Sequence, residues 1–270
     1  MYSRVLVPLD GSLPATAALQ VGERLADRWG ADLQVLTLIE KSQIPAGVNH
    51  LIRRQVARID LKPKVEVRSI SYSVAEDIAE EFDVVDDTFV VMSSWARGRT
   101  AGLVSNVAED VFRLVRQPML LTGPTVEIST DWPDGAMHIA VDGTDFSEAV
   151  VRSAALLAKS IAVDIKLVTV VERSAVPAGT NPAVETNALA RLATEVEAIV
   201  GREVDYDVLH GSDPASEIID YAKRYGAAAI AMSTHVRSGA DRLAHGSITM
   251  DVVSHAHCPV LIDRPSIGER

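Results

Sequence analysis

The chain has 270 residues, 47% of them hydrophobic and 23% charged, with a formal net charge of −11. That apolar share is enough to bury a core, which excludes a disordered chain. The acidic balance excludes a general nucleic-acid or membrane-surface binder, since both need basic patches. Length predicts about two domains of roughly 150 residues each. Aromatic residues make up only 4%, so the core must be built from Val, Ala, Leu and Ile, a composition suited to buried parallel strands covered by alanine-rich helices. The single cysteine, Cys258, allows no internal disulfide and fits a reducing compartment. The opening MYSRVLVPLD lacks the apolar stretch of a secretory leader. No run approaches the roughly 18 uncharged apolar residues that span a bilayer. A cytoplasmic protein is expected.

Taken in chain order, short Val/Ile/Leu runs predict strands at 4–9, 33–39, 65–70, 88–92 and 119–122. Helical patterns lie between them near 14–29, 48–59, 74–82 and 104–115. After a stretch rich in Pro, Gly, Ser, Thr and Asp (123–136), which reads as a linker, the series starts again. Strands are predicted at 138–141, 165–171, 204–209, 227–232 and 259–262, with helices near 147–161, 183–200, 214–225 and 247–256. Such alternation indicates βαβ units and a parallel sheet. The third strand of each half alternates apolar and polar residues, as a half-exposed edge strand should. Ser12 with Pro14, and Ser147 with Glu148, supply cap-like helix starts; Gly30 and Gly226 fall just past helix ends.

The two series are copies. VLVPLDGSLPATAAL matches HIAVDGTDFSEAVVRSAAL, with Asp10 opposite Asp142, and LQVLTLIEKS matches IKLVTVVERS. Further on, VAEDIAE matches PASEIID, VVMSS matches AIAMST, and QPMLL matches CPVLI. A duplicated domain follows.

In a doubly wound sheet, ligands settle beyond the carboxyl ends of the strands where the strand order reverses. With order 3-2-1-4-5 that point lies between strands 1 and 4. Asp10 and Asp142 close the first strands, where a carboxylate accepts hydrogen bonds from a ribose or a base edge; the same Asp-Gly-Ser/Thr also makes turns and caps unaided. After the fourth strand of the second copy comes the loop MSTHVRSGADRLAHGSI, in which Gly246-Ser247 opens a helix. Exposed amides, the helix dipole and the Ser247 hydroxyl there form a phosphate cradle, or Ser247 is simply an N-cap. Arg237 and Arg242 add charge or are solvated. No Walker loop occurs, so the usual phosphoryl-transfer apparatus is missing.

The strand-Asp-Gly-Ser starts, the Asp/Pro-Ala-x-x-Ile helix starts, the loop closing on Gly-Ser-Ile and the final strand CPVLI together resemble a tandem universal stress protein, nearly end to end. The resemblance implies two tandem α/β domains, 1–124 and 137–265. Each would be a doubly wound five-stranded parallel sheet of the adenine nucleotide alpha hydrolase-like kind, and the two would be pseudo-twofold related. It also implies that the final strands are sheet edges meeting across that axis. A stress-response, nucleotide-sensing or regulatory role is implied, without an assigned reaction.

Many members of that family bind ATP through Gly-x-x-Gly, nine residues, then Gly-Ser/Thr. Laid on the second copy, the pattern falls on Ser233, Val236, Gly246 and Ser247, so the spacing and last pair are kept and the first two glycines are lost. On the first copy it falls on Ser93, Ala96, Ser105 and Asn106, one residue short and without glycine. The family's base-side positions fall on Pro8, Asp10 and Leu38, and on Ala140, Asp142 and Val170. Val236 resists positive φ and fills space near a phosphate. ATP is therefore expected, if bound, in domain 2, with an unidentified protein partner and a homo-oligomer as further expectations. The rival readings are a scaffold that binds no nucleotide and, behind it, a weak ATPase.

His235, His245, His255 and His257 with Cys258 fit no metal-ligand spacing, so no metal is expected. Cys258 is expected to be a small buried residue. Asp83, Asp86 and Asp87 read as a solvated turn, and the absence of a Gly-x-Ser-x-Gly elbow leaves no anchor for a hydrolase triad. No catalytic residue is assigned.

Overall fold

The structure is a computed structural model that describes residues 2–40, 45–94, 107–115, 117–172, 183–234 and 248–264. The chain divides into two compact units, Met1–Trp132 and Pro133–Arg270.

Unit 1 runs β1 (Arg4–Pro8), α1 (Pro14–Trp29), β2 (Asp32–Ile39), α2 (Pro45–Val56), β3 (Lys64–Ser69), α3 (Val74–Asp83), β4 (Thr88–Ser93), α4 (Val107–Leu114) and β5 (Met119–Thr122). Its strands pair in parallel in the order β3-β2-β1-β4-β5. Central β1 is buried from Arg4 to Val7, as a strand covered on both faces must be, while β3 is half exposed at the edge. Helix α1 begins with Pro14 and turns its Ala15, Ala18, Leu19, Val21 and Gly22 side onto the sheet. At Gly22 the approach is so close that a Cβ would stand 2.5 Å from Val7 Cγ2. Gly30 ends the helix in the left-handed region at φ 63°, taking its amide to Ala26 and Asp27 carbonyls.

Two side-chain clusters lock this unit. Trp29 meets Phe89 edge-on with centroids 5.4 Å apart, and Tyr2 packs against both. Under α3, the buried Arg4 guanidinium donates to Gln34 Oε1 (2.7 Å), Glu81 Oε1 (3.0 Å) and Thr88 Oγ1 (3.0 Å). The stretch read as a linker is partly absorbed into the unit: Val126 and Trp132 are buried, and Arg24 donates to the carbonyls of Thr130 and Trp132.

Unit 2 repeats the series as β6 (Ala136–Ala140), α5 (Asp145–Ser160), β7 (Asp164–Glu172), α6 (Ala183–Val200), β8 (Asp205–Gly211), α7 (Pro214–Arg224), β9 (Ala229–Ser233), α8 (Ile248–His255) and β10 (Val260–Asp263). The parallel order β8-β7-β6-β9-β10 mirrors unit 1, so the expected 3-2-1-4-5 arrangement holds in both. Its polar interior differs. His138 on β6 is 1% exposed and lies 5.3 Å from the Tyr221 ring, and among the described residues its Nδ1 has no hydrogen-bond partner. Tyr221 donates its hydroxyl to Asp207, which also faces Lys166 at 3.6 Å.

Two expectations need correction. Helix α2 starts at Pro45, earlier than the apolar pattern suggested, because proline at the first helical position needs no amide partner. Helix α5 starts at Asp145 rather than Ser147. Gly143, at φ 79°, turns the chain early and Thr144 becomes the cap, its Oγ1 accepting the Ser147 amide at 3.1 Å.

Candidate functional site

The carboxyl end of the unit 2 sheet gathers the first turn of α5 and the ends of β6 and β9. Beyond β6, the Val141 amide still donates to Val168 on β7 (2.9 Å), and the chain then leaves the sheet at Asp142. Asp142 Oδ1 accepts the Thr144 amide (3.0 Å) and the Thr144 hydroxyl (2.6 Å), an Asx-type turn over Gly143. The carboxylate itself is exposed. Partial desolvation pushes its pKa up, but hydrogen bonding from Ser147 and Thr144 outweighs this and holds it below the ordinary carboxylate range. It is therefore a fixed anion at neutral pH.

Ser233, the last residue of β9, is brought to the same place. Its Oγ donates to Ser147 O and accepts the Val150 amide, both at 3.2 Å. Its carbonyl accepts from Thr249 on α8 at 2.9 Å. The Ser233 hydroxyl thus ties β9 to α5. Val170 lies half-buried on β7, past the last paired residue of β6, opposite Leu209 of β8. Val236, Gly246 and Ser247 lie outside the described residues, as do Arg237, Arg242, His235 and His245.

Behind Ser233 stands Asp263, its register partner on β10. The Asp263 carboxyl is enclosed; burial raises its pKa, against hydrogen bonds from the Ser153 hydroxyl and the Arg264 amide. Its carbonyl accepts the Thr234 amide at 3.0 Å, which anchors the chain where it leaves β9.

Unit 1 builds the same turn, leaves Asp10 exposed and buries Gly11 and Ser12. Asp10 Oδ1 accepts the Ser12 amide at 2.9 Å, and Gly11 takes φ 79°, as Gly143 does. Helix α2 lies over it, so a Cβ on Gly11 would meet Leu51 Cβ at 3.4 Å and Ile52 Cδ1 at 3.9 Å. Gln55 Nε2 donates to Ser12 O (2.7 Å) and Thr16 Oγ1 (3.0 Å), sealing the turn from above. At Gly143, by contrast, nothing among the described residues lies within 4 Å of a Cβ position. Pro8 and Leu38 hold the β1 and β2 places, Ser93 ends β4, and Ala96, Ser105 and Asn106 lie outside the described residues.

The universal stress protein family matches residues 1–123 and again 137–264. The chain belongs to the universal stress protein family. It is a tandem member with one domain in each unit. A universal stress protein of Methanocaldococcus jannaschii is 29% identical over 134 residues, covering 46% of this chain and 78% of that protein. Among solved structures, a universal stress protein from Archaeoglobus fulgidus superposes over 98% of this chain and 100% of its own, with TM-score 0.70 and 17% identity. A putative universal stress protein from Pseudomonas aeruginosa UCBPP-PA14 covers 98% and 94%, with TM-score 0.61 and 17% identity. At such identities these two speak for the fold.

The remaining candidate groups are structural in character. His255 ends α8 with its Nδ1 at 2.9 Å from the Asp251 carbonyl. Among the described residues, no group of three or more His, Cys, Asp or Glu is placed to hold a metal. Cys258 is only partly buried, yet desolvation pushes its thiol up to about 12, so it is no nucleophile at neutral pH. Among the described residues no helix is long and apolar enough to cross a membrane. Sequence reasoning missed the role of Ser147, read only as a helix cap, and of Thr249 and Asp263. A polar residue at a strand end or inside a helix's buried face was the available signal.

Proposed function

We propose that this universal stress protein is a regulatory protein that binds an adenine nucleotide, ATP being the expected ligand, through its second domain. The domains are placed at 1–124 and 137–265. The supporting observation is the contrast between two equal turns. Among the described residues nothing lies within 4 Å of a Cβ position on Gly143, while Gly11 lies against Leu51 and Ile52 and the following Ser12 carbonyl takes a hydrogen bond from Gln55. Asp142, a fixed anion at a strand end, suits the hydroxyls of a ribose or a base edge. Val170 on β7 is the apolar residue the sequence assigns to the base side, and the sequence Gly246-Ser247 ahead of α8 is the expected source of amides for phosphate. Asp10 is the counterpart in domain 1, exposed itself but followed by a buried Gly11 and Ser12. The reading is one of binding and signalling rather than turnover, in keeping with the missing Walker lysine. A cytoplasmic setting fits the single cysteine.

Calorimetric titration of the full chain with ATP tests it. Gly246→Val puts a branched side chain where phosphate must approach and abolishes binding. Ser105→Val, at the matching place of domain 1, leaves the affinity unchanged. Loss of binding in the Ser105 variant alone would assign the ligand to the wrong domain. A wild type without heat at millimolar ATP favours a second reading, a scaffold acting by protein contact. The observation behind that alternative is Ser233, whose hydroxyl fills a place held by glycine in ATP-binding members and is already committed to α5.

A further inference from the structure

Ser147 stands in the first turn of α5 and is buried, yet it makes more polar contacts than the helix requires. Its amide goes to the Thr144 cap at 3.1 Å. Its Oγ accepts the Asp142 amide at 3.0 Å and donates to the Thr144 carbonyl at 2.9 Å. Its own carbonyl accepts the Ser233 hydroxyl at 3.2 Å. One residue therefore grips both sides of the Asp142–Thr144 turn and the end of β9. Resting on the nucleotide reading of domain 2, we propose that Ser147 is a positioning residue that holds the Asp142 carboxylate ready to receive the hydroxyl pair of a nucleotide ribose.

The physical case is one of preorganisation. A side chain immobilised only on binding loses rotamer freedom at the expense of affinity. Here the backbone of Asp142 is pinned by the Ser147 hydroxyl and its Oδ1 by Thr144, so the direction of the carboxylate is set before a ligand arrives. The other copy lacks the device. Ala15 takes the place of Ser147, its amide reaching Ser12 Oγ at 3.4 Å as the Ser147 amide reaches Thr144. Having no hydroxyl, Ala15 cannot hold the strand end, and Gln55 fixes that turn from outside instead. The two copies stabilise one turn by different means: from within in domain 2, through Ser147, and from outside in domain 1, through Gln55 on the Ser12 carbonyl.

The experiment uses the full chain with ATP as the probe, together with carbon NMR titration of the Asp142 carboxyl. Ser147→Ala weakens ATP binding about tenfold, the upper size of one neutral hydrogen bond, and, by loosening the turn that keeps Thr144 on the carboxylate, moves the Asp142 titration to higher pH. Ser147→Thr, which keeps the hydroxyl, restores binding to within about twofold. A purely packing role would move neither the titration nor this rescue. If Ser147→Ala does not fold, Thr144→Val removes the neighbouring hydroxyl from the exposed side, with the same two readings expected. Unchanged affinity in Ser147→Ala, with or without a shifted titration, overturns the proposal while wild-type binding stands. A wild type that binds no ATP sinks the nucleotide reading and this proposal with it; an unmoved titration would then show that Ser147 does not act on Asp142 at all.

Discussion

His138 is the most exposing test of the domain 2 interior, because β6 buries it and, among the described residues, its Nδ1 has no hydrogen-bond partner. Burial, reinforced by Lys166 and opposed by Asp207, lowers its pKa from 6.5 to about 4. The groups facing it are Lys166 on β7, Asp207 on β8, and Tyr221 on α7, with Ile230 alongside on β9. The sign follows from proton uptake. Below pH 6.5 the unfolded chain binds a proton that the folded chain refuses until about pH 4, so stability falls as pH drops through that window. At about pH 5 the loss is ~2 kcal/mol, and the full shift is worth ~3 kcal/mol. His138→Leu copies the other domain, where Leu6 pairs with Gln34 just as His138 pairs with Lys166. With a urea dependence of roughly 1–3 kcal/mol per molar, the wild-type midpoint should fall by about 1 M between about pH 7 and pH 5. The leucine variant should lose that fall and be no less stable at neutral pH. A variant with the same pH slope as wild type would refute the assignment.

Two further changes probe domain 1. Gly22→Ala forces a Cβ to within 2.5 Å of Val7 Cγ2, a stiff and fully buried methyl. The strain of about 1–3 kcal/mol should exceed the roughly 1 kcal/mol gained in helix propensity and lower the melting temperature. Combining it with Val7→Ala should lose less than the sum of the two single changes, and strict additivity would count against the contact. Glu81→Ala strips the buried Arg4 of its carboxylate (3.0 Å) and Arg68 of a second one (3.3 Å), for a loss of about 3–5 kcal/mol by denaturant unfolding. The paired change Arg4→Met with Glu81→Leu should recover much of it.

Secondary structure was legible because each strand is an apolar run cut off by Gly, Pro or an Asx turn, and each helix has a strong apolar face. The repeat reinforced every assignment and led to the strand order. What escaped is long-range polar bonding. Nothing near Ser147 in the sequence announces that its hydroxyl reaches Asp142 and its carbonyl reaches Ser233 on a distant strand. Trp132 lies in a Pro/Gly-rich stretch and reads as linker, yet Arg24, from the middle of α1, holds its carbonyl at 3.2 Å. The covering of Gly11 by Leu51 escaped for the same reason, since the residues that settle it lie in another element.

The two copies also bear on what makes a turn a site. Leu9 donates to Leu36 O at 2.8 Å, and Val141 donates to Val168 O at 2.9 Å. Asp10 then accepts from Ser12 and Asp142 from Thr144, each followed by the same left-handed glycine conformation. Meanwhile the buried polar groups under the adjoining helix have changed completely, Arg4, Gln34 and Glu81 in one copy and His138, Lys166 and Tyr221 in the other. A turn that recurs in both copies is explained by its own hydrogen bonds and the helix it starts. Its presence in domain 2 is therefore no evidence of binding. The discriminating features are those that differ around an unchanged turn: Ser147 in place of Ala15, and, among the described residues, nothing over Gly143 where Leu51 lies against Gly11.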